Sequence, residues 1–347
     1  MSTQDSSGTF FAICNQQQNL RFLELPPSLL EVIQSQGAPN LELKSTATQS
    51  SGTLDDAPAN AVLCTSNKTF KVRQVQSSNS VFVLQPISTT QASKDDSLPS
   101  TSLSAIAQCP VTLELVPTSP SALSFVRKSI PAYPGAELGL SSDSSETRNR
   151  NAVLESCPFS SGEFDNAWKE LCCFEQSALA WRPSASTLVG IWKSILSASI
   201  LRCLSFDDKL PMNKLESIIE EDNFPDSLLR AVINRLTSAH TESSDGPLDK
   251  DLTVFWVGTV LLESQQITRD SVLLSEFLQE WRDILPEGWK EYAHLDVLKG
   301  KYLQVSENQI TYNAEASENI VTADISIAKS STKNARKWHE KFKNARR

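Results

Sequence analysis

The chain has 347 residues and a formal net charge of −9, room for two or three domains of ordinary size. Its hydrophobic content is 39%, with serine, threonine and glutamine crowding the first 150 residues and the apolar residues concentrated in blocks; this argues against wholesale disorder and predicts folded modules joined by polar linkers. The polar start, Met1 to Phe10, is not a secretory signal, and the longest apolar run, Leu188 to Leu204, is broken by Lys193 and Arg202 and reads as a buried helix rather than a membrane span.

The first third reads as short strands: Thr9–Cys14, Leu20–Leu25, Leu41–Lys44, Ala61–Thr65, Thr69–Val75, Val81–Gln85 and Val111–Val116. Phe70, Val72 and the run Val81-Phe82-Val83-Leu84 supply the β-branched and aromatic content that strands favour. One helix interrupts them, with Ser28 and Glu31 at capping-box spacing and Gly37 placed to end it. Ser88 to Gln108 reads as a long polar insertion. So few short strands leave exposed edges, with two solutions open: pairing with a partner chain, or closure into a small self-sufficient barrel. Phe70, Val72, Val81 and Val83 are the strand positions expected to meet a partner. Lys71 and Arg73 fall on the face opposite Phe70 and Val72; the apolar face is expected to enter the barrel, the charged face to be solvated or to read an acidic partner.

Residues 121–150 are assigned as linker, most polar from Ser141 to Arg150. Beyond it the periodicity turns helical. Helices are predicted over Gly162–Cys173, Thr187–Cys203, Asn213–Glu221, Asp226–Ser238, Leu252–Ser264, Asp270–Leu285 and Tyr292–Lys299. Asp270 is placed to cap its helix, and Pro286-Glu287-Gly288 to stop it. Tyr302–Val305 and Gln309–Tyr312, joined by Glu307-Asn308, read as a β-hairpin. Helices followed by a hairpin give the winged-helix plan, an elaborated helix-turn-helix. Extended Ala178–Arg182 and the segment Leu188–Val257 suggest looser earlier copies, so two or three tandem modules are expected, over 151–258 and 259–313. The fold class is α+β: a small β-barrel-like N-terminal domain and a C-terminal winged-helix array.

The last 19 residues invert the charge. Lys329 to Arg347 hold eight Lys/Arg against Glu340, a net +7 that leaves −16 on residues 1–328 of the total −9. Such a tail suits DNA phosphate or nuclear import, with a merely solubilising role as the alternative. Lys333, Arg336, Lys337, Lys341, Lys343, Arg346 and Arg347 are the expected DNA contacts. The predicted last helix, carrying Asp296 with Glu291 beside it, faces phosphate poorly. Trp338, Phe342 and Ala345 would form an apolar edge if this tail is helical. Trp181-Arg182 is the best candidate for an exposed aromatic–arginine pair, with core packing as the competing reading.

Seven cysteines without CxxC spacing and three dispersed histidines, His240, His294 and His339, predict reduced thiols and no zinc site. No phosphate-cradling glycine loop, HExxH or GxSxG is present. The expectation is a chain with no catalytic site, cofactor or metal.

Two extended stretches carry a family likeness. AVLCTSNKTFKVRQVQSSNSVFVLQP, Ala61 to Pro86, and EFLQEWRDILPEGWKEYAHLDVLKGKYL, Glu276 to Leu303, resemble the Dcc family, named for defective sister chromatid cohesion. KLPMNKLESII, Lys209 to Ile219, and LELPPSLLE, Leu23 to Glu31, are weaker matches in the same order. The resemblance implies a non-enzymatic subunit of the cohesion-type replication factor C clamp loader. It implies a β domain completed by two partners, the small accessory subunit and the tail of the large loader subunit. It also implies winged helices that contact the catalytic subunit of DNA polymerase epsilon and DNA, with the sliding clamp PCNA as an indirect partner and the nucleus as location. In the family, folded sequence continues past a motif like Arg336-Lys337-Trp338; the chain ends at Arg347, so the last module is expected to be shortened or replaced. The readings from other classes are a free-standing winged-helix transcription regulator, which needs a basic recognition helix, and a nuclease built from dispersed acids.

Overall fold

The computed structural model describes residues 10–35, 37, 40–45, 61–87, 102–118, 121–135, 148–237 and 246–314. They divide into two units, one within residues 1–118 with 158–160, the other within 119–157 and 161–347.

The first unit is a six-stranded sheet, β1 (Phe10–Ile13), β2 (Phe22–Glu24), β3 (Glu42–Ser45), β4 (Ala61–Cys64), β5 (Thr69–Ile87) and β6 (Ser102–Pro117), with helix α1 (Pro27–Gln34). The strand order is β1-β6-β5-β4-β3, β2 also pairs β6, and the sheet curls into a half barrel. Its spine is the antiparallel pair β5–β6, registered from Phe70↔Pro117 to Ile87↔Ser102. β1 and β2 lie parallel to opposite ends of β6. Two strand readings lengthen. The polar break after Val75 is bridged, because β6 supplies a continuous ladder that absorbs it as an irregularity between Gln76 and Val81. Part of the expected polar insertion, Ser102 to Gln108, is strand: Ala105 and Ala107 carry little β propensity, yet both are fully buried in the ladder with β5, Ala105 also pairing β1.

Helix α1 begins after Pro26 without a side-chain cap, so the expected Ser28–Glu31 capping box does not form. Proline in the first turn needs no N–H partner, which supports the start without one. Leu29 of α1 is buried with Leu63, Phe70 and Leu115, while Leu25, Ile33 and Val72 pack around them. This is the apolar centre at the β4 end of the sheet. The short segment at Phe159 and Ser160 completes it: the Lys44 ammonium donates to the Phe159 carbonyl at 2.9 Å, and Ser160 N–H donates to Thr69 Oγ1 at 2.8 Å.

The second unit is mostly helical: α2 (Ala122–Ser129), α3 (Arg150–Ser156), α4 (Ser161–Glu170), α5 (Ala185–Leu201), α6 (Met212–Glu221), α7 (Asp226–Leu236), α8 (Lys250–Gln266) and α9 (Leu274–Asp283). Between α4 and α5 stand β7 (Phe174–Gln176) and β8 (Leu179–Trp181), whose two-residue turn Ser177-Ala178 has positive φ at both positions, as a type I′ hairpin requires. α2 occupies part of the expected linker, capped by Ser121 and burying Leu123 and Val126. The expected boundary at residue 258 falls inside α8, within one continuous core.

α8 is followed by β9 (Val272–Leu273), α9, two 3-10 turns (Glu287–Tyr292 and Leu295–Leu298), β10 (Tyr302–Ser306) and β11 (Gln309–Tyr312). The three strands form a sheet ordered β10-β11-β9. The expected start of α9 at Asp270 is instead β9, and Leu273 precedes the helix without a side-chain cap. The expected helix Tyr292–Lys299 is the pair of 3-10 turns. Burial of Trp289 and Leu298, with a bend at Ala293, holds two short turns in place of one regular helix.

Packing here is dense and specific. Gly258 allows α9 close to α8, since a Cβ there would meet the Trp281 ring at 2.5 Å. Trp281 Nε1 donates to the Val254 carbonyl at 3.2 Å, and Trp192 Nε1 to the Ile284 carbonyl at 2.8 Å. Each indole thereby keeps its polar atom satisfied inside the core. No helix among the described residues is long and apolar enough to cross a membrane.

Candidate protein interface

β4 pairs β5 only over Thr69–Lys71. Beyond Lys71 the outer edge of β5 meets no further strand among the described residues, while its inner edge stays paired to β6. The result is a long row of backbone donors and acceptors facing outward, the arrangement to which an added strand binds.

Apolar side chains cluster on the same part of the sheet. Val81, Phe82 and Leu84 are 48%, 40% and 43% exposed, and Phe11 and Ile13 on β1 are more exposed still. Phe11 and Phe82 meet edge to face at 6.4 Å. Phe22 and Leu23 on β2 and Leu43 on β3 add to the exposed set. Scattered single apolar residues are ordinary on a surface, but a group on one curled sheet marks a contact region.

The charged positions divide as strand alternation dictates. Lys71 and Arg73 are exposed, Phe70 is buried and Val72 half-buried. Arg73 lies opposite Glu114 in the ladder and pairs with it. One of the two cations on that face is thus matched within the sheet.

The expected interface residues therefore separate. Phe70 belongs to the small core, with Val72 against it. Val81 lies exposed beside the open edge, and Val83 is half-buried. Phe82 and Leu84, two residues apart and so on one face of β5, are exposed as well; the register irregularity after Val83 leaves its unpaired residue, Ile106, on β6. The run Val81–Leu84 signalled a strand; which of its two faces is left uncovered depended on what packs against the sheet. Trp181 is buried, its ring edge-on to Tyr133 at 6.2 Å. Arg182 has its backbone tied to Pro131 and Tyr133 and its side chain in a cavity of the helical unit. The pair is not an exposed patch. The expected DNA contacts, Lys333, Arg336, Lys337, Lys341, Lys343, Arg346 and Arg347, lie outside the described residues.

Among the described residues no group of three or more His, Cys, Asp or Glu is placed to hold a metal ion. Burial pushes the Cys172 thiol up to about 12, the nearby Arg235 only partly opposing it, and raises Cys173 as well. Both sulfurs are thereby kept as thiols at neutral pH and are poor nucleophiles.

The sequence model of the family described as sister chromatid cohesion protein Dcc1 matches residues 20–320, most of the chain. The chain belongs to the Dcc1 family. Its role is accordingly in sister chromatid cohesion. In this Dcc1-family chain the match runs from β2 to β11, and the basic tail from Lys329 to Arg347 lies beyond it.

Proposed function

We propose that this Dcc1-family protein is a non-catalytic accessory subunit of the cohesion-type replication factor C clamp loader. In this reading the curled sheet is completed by strands of the small accessory subunit and of the large loader subunit. The observation that carries the reading is the outer edge of β5, without a partner strand among the described residues, beside exposed Val81, Phe82 and Leu84. Added strands would satisfy the edge hydrogen bonds and bury those side chains in one step.

The helical unit is then the arm that reaches DNA polymerase epsilon and DNA. Support comes from the segment α8 to β11: helix, strand, helix, short turns and hairpin, with a sheet ordered β10-β11-β9, agree with the winged-helix plan. The short turns that take the recognition-helix position carry Glu287, Glu291 and Asp296 beside Lys290 and Lys299. That balance favours protein contact there and leaves DNA to the basic tail. PCNA would be met only through the loader, and the site of action is the nucleus. The mechanism is tethering, which raises the effective concentration of polymerase and DNA at the loader without bond chemistry.

The test is co-expression of the full chain with both loader partners, followed by limited proteolysis. Protection of β1, β5 and β6 only in their company supports the reading. Equal protection of the chain alone, with no co-purification, overturns it.

A further inference from the structure

The helical unit contains a cavity of about 100 Å³ to which four cations contribute, each from a different place in the fold. Arg127 comes from α2, Arg182 follows β8, Arg235 lies on α7 and Lys301 stands before β10. Two carboxylates, Glu170 and Glu263, share the lining. None of the four cations makes an ion pair or side-chain hydrogen bond among the described residues. The Nε atoms of Arg182 and Arg235 are buried without a hydrogen-bond partner. Buried guanidinium N–H groups are normally satisfied, so two left unmet at one cavity point to a ligand.

We propose that this cavity is a binding site for a phosphomonoester dianion. Four positive against two negative side chains leave an excess of two, which a monoester dianion neutralises. The volume accommodates several water molecules, and so one tetrahedral oxyanion. Planar guanidinium forks match oxyanion geometry and lock it with paired N–H donors. A nucleic-acid diester fits less well: it carries a single charge, and its two flanking sugars need a groove rather than a pocket for one group. The rim is reachable, since Glu170 is exposed and Arg127, Arg182, Arg235 and Lys301 are only partly buried. The charges lining the cavity are unbalanced. Burial lowers Lys301, Arg127 and Arg235 push it further down, and Glu170 and Glu263 oppose them. An anion among these groups would relieve that repulsion.

The shared chemistry is the phosphomonoester; its source is either free inorganic phosphate or a phosphorylated serine of a partner protein. The experiment titrates the full-length protein by calorimetry with inorganic phosphate, with a short phosphoserine peptide, and with the same peptide carrying glutamate, all at constant ionic strength. Inorganic phosphate and phosphopeptide should compete, and Arg127→Gln or Lys301→Gln should weaken both by at least about tenfold. Arg269→Gln, which alters an exposed pair with Glu276, should leave both unchanged. Tighter binding of the phosphopeptide than of free phosphate assigns the source to a phosphorylated partner; equal binding assigns it to the free ion. Should Arg127→Gln fail to fold, Lys301→Gln and the charge-preserving Arg235→Lys carry the readout. Equal binding of the glutamate peptide, equal binding by all variants, or competition by unphosphorylated duplex DNA alone overturns the proposal.

Discussion

The two units spend their apolar residues in opposite directions. In the helical unit Trp192, Trp281, Phe164 and Phe277 are fully buried. In the β unit Phe11, Phe22 and Phe82 stand substantially exposed, and the fully covered apolar set centres on Leu29, Leu63, Phe70 and Leu115. A helix buries its stripe against neighbouring helices of the same chain, whereas this sheet has, among the described residues, one long edge of β5 without a partner strand. The helical unit thus has the ingredients of an autonomous fold, and the β unit those of half an interface.

The sharpest way to break this contrast is to damage the helical core. Trp281→Ala removes a fully buried indole, its hydrogen bond to Val254 and its contact with Gly258, so urea unfolding should register a loss of about 3–5 kcal/mol. A loss under about 1 kcal/mol would show that this core is not tightly packed.

Next comes the open edge. Replacing Phe82 and Leu84 together by Asp should weaken binding to the loader partners by at least about tenfold, a cost near 1.4 kcal/mol. The same double variant should shift unfolding of the chain alone by less than about 1 kcal/mol, because both side chains are already exposed. Equal damage to folding and binding would remove the distinction between the two units.

The cap of α8 offers a smaller effect. Asp249 accepts from Leu252 N–H at 3.0 Å, so Asp249→Ala should cost about 1 kcal/mol in thermal unfolding, and Asp249→Asn much less. At the low end lies pH. Burial raises Glu263, with Arg127, Arg182, Lys301 and Tyr312 opposing it. The folded state holds this proton more tightly than the unfolded chain does. Its contribution is therefore greatest below the ordinary carboxylate range and is lost as pH rises through that range to the raised value. Glu263→Gln should flatten this part of the stability–pH curve. A gain in wild-type stability with rising pH across the same window would contradict the burial argument.

Thiol labelling separates the same environments chemically. Cys203 is exposed and should react with a maleimide at neutral pH, while Cys172, buried and pushed up to about 12, should stay unlabelled until the helical unit unfolds. Labelling of Cys172 in the native protein would place an opening at the heart of that unit.

Legibility followed the kind of signal each element carries. The helices α4 to α8 and the hairpin β10–β11 were readable because apolar spacing repeats within each segment. The hairpin β7–β8 was only half visible, since Ser177-Ala178 lacks the Asn-Gly or Asp-Gly signature that usually announces such a turn. α2 was hidden because it is only eight residues long, its three buried residues, Ala122, Leu123 and Val126, too few to raise a periodic signal. For the interface, the run Val81–Leu84 stood out, but alternation alone could not say which of its two faces the rest of the sheet leaves uncovered. The cavity of four cations had no sequence signature at all, because its members come from residues 127, 182, 235 and 301.

Residue order alone was enough for the division into a strand-rich first third and a helical remainder, the family likeness and the basic tail, because each is local along the chain. The length of β5 and β6, the open edge among the described residues, the burial of Trp181 and the gathering of distant arginines required the folded chain. Each of these depends on which segment lies alongside which, and that partner is set by packing between residues far apart in sequence.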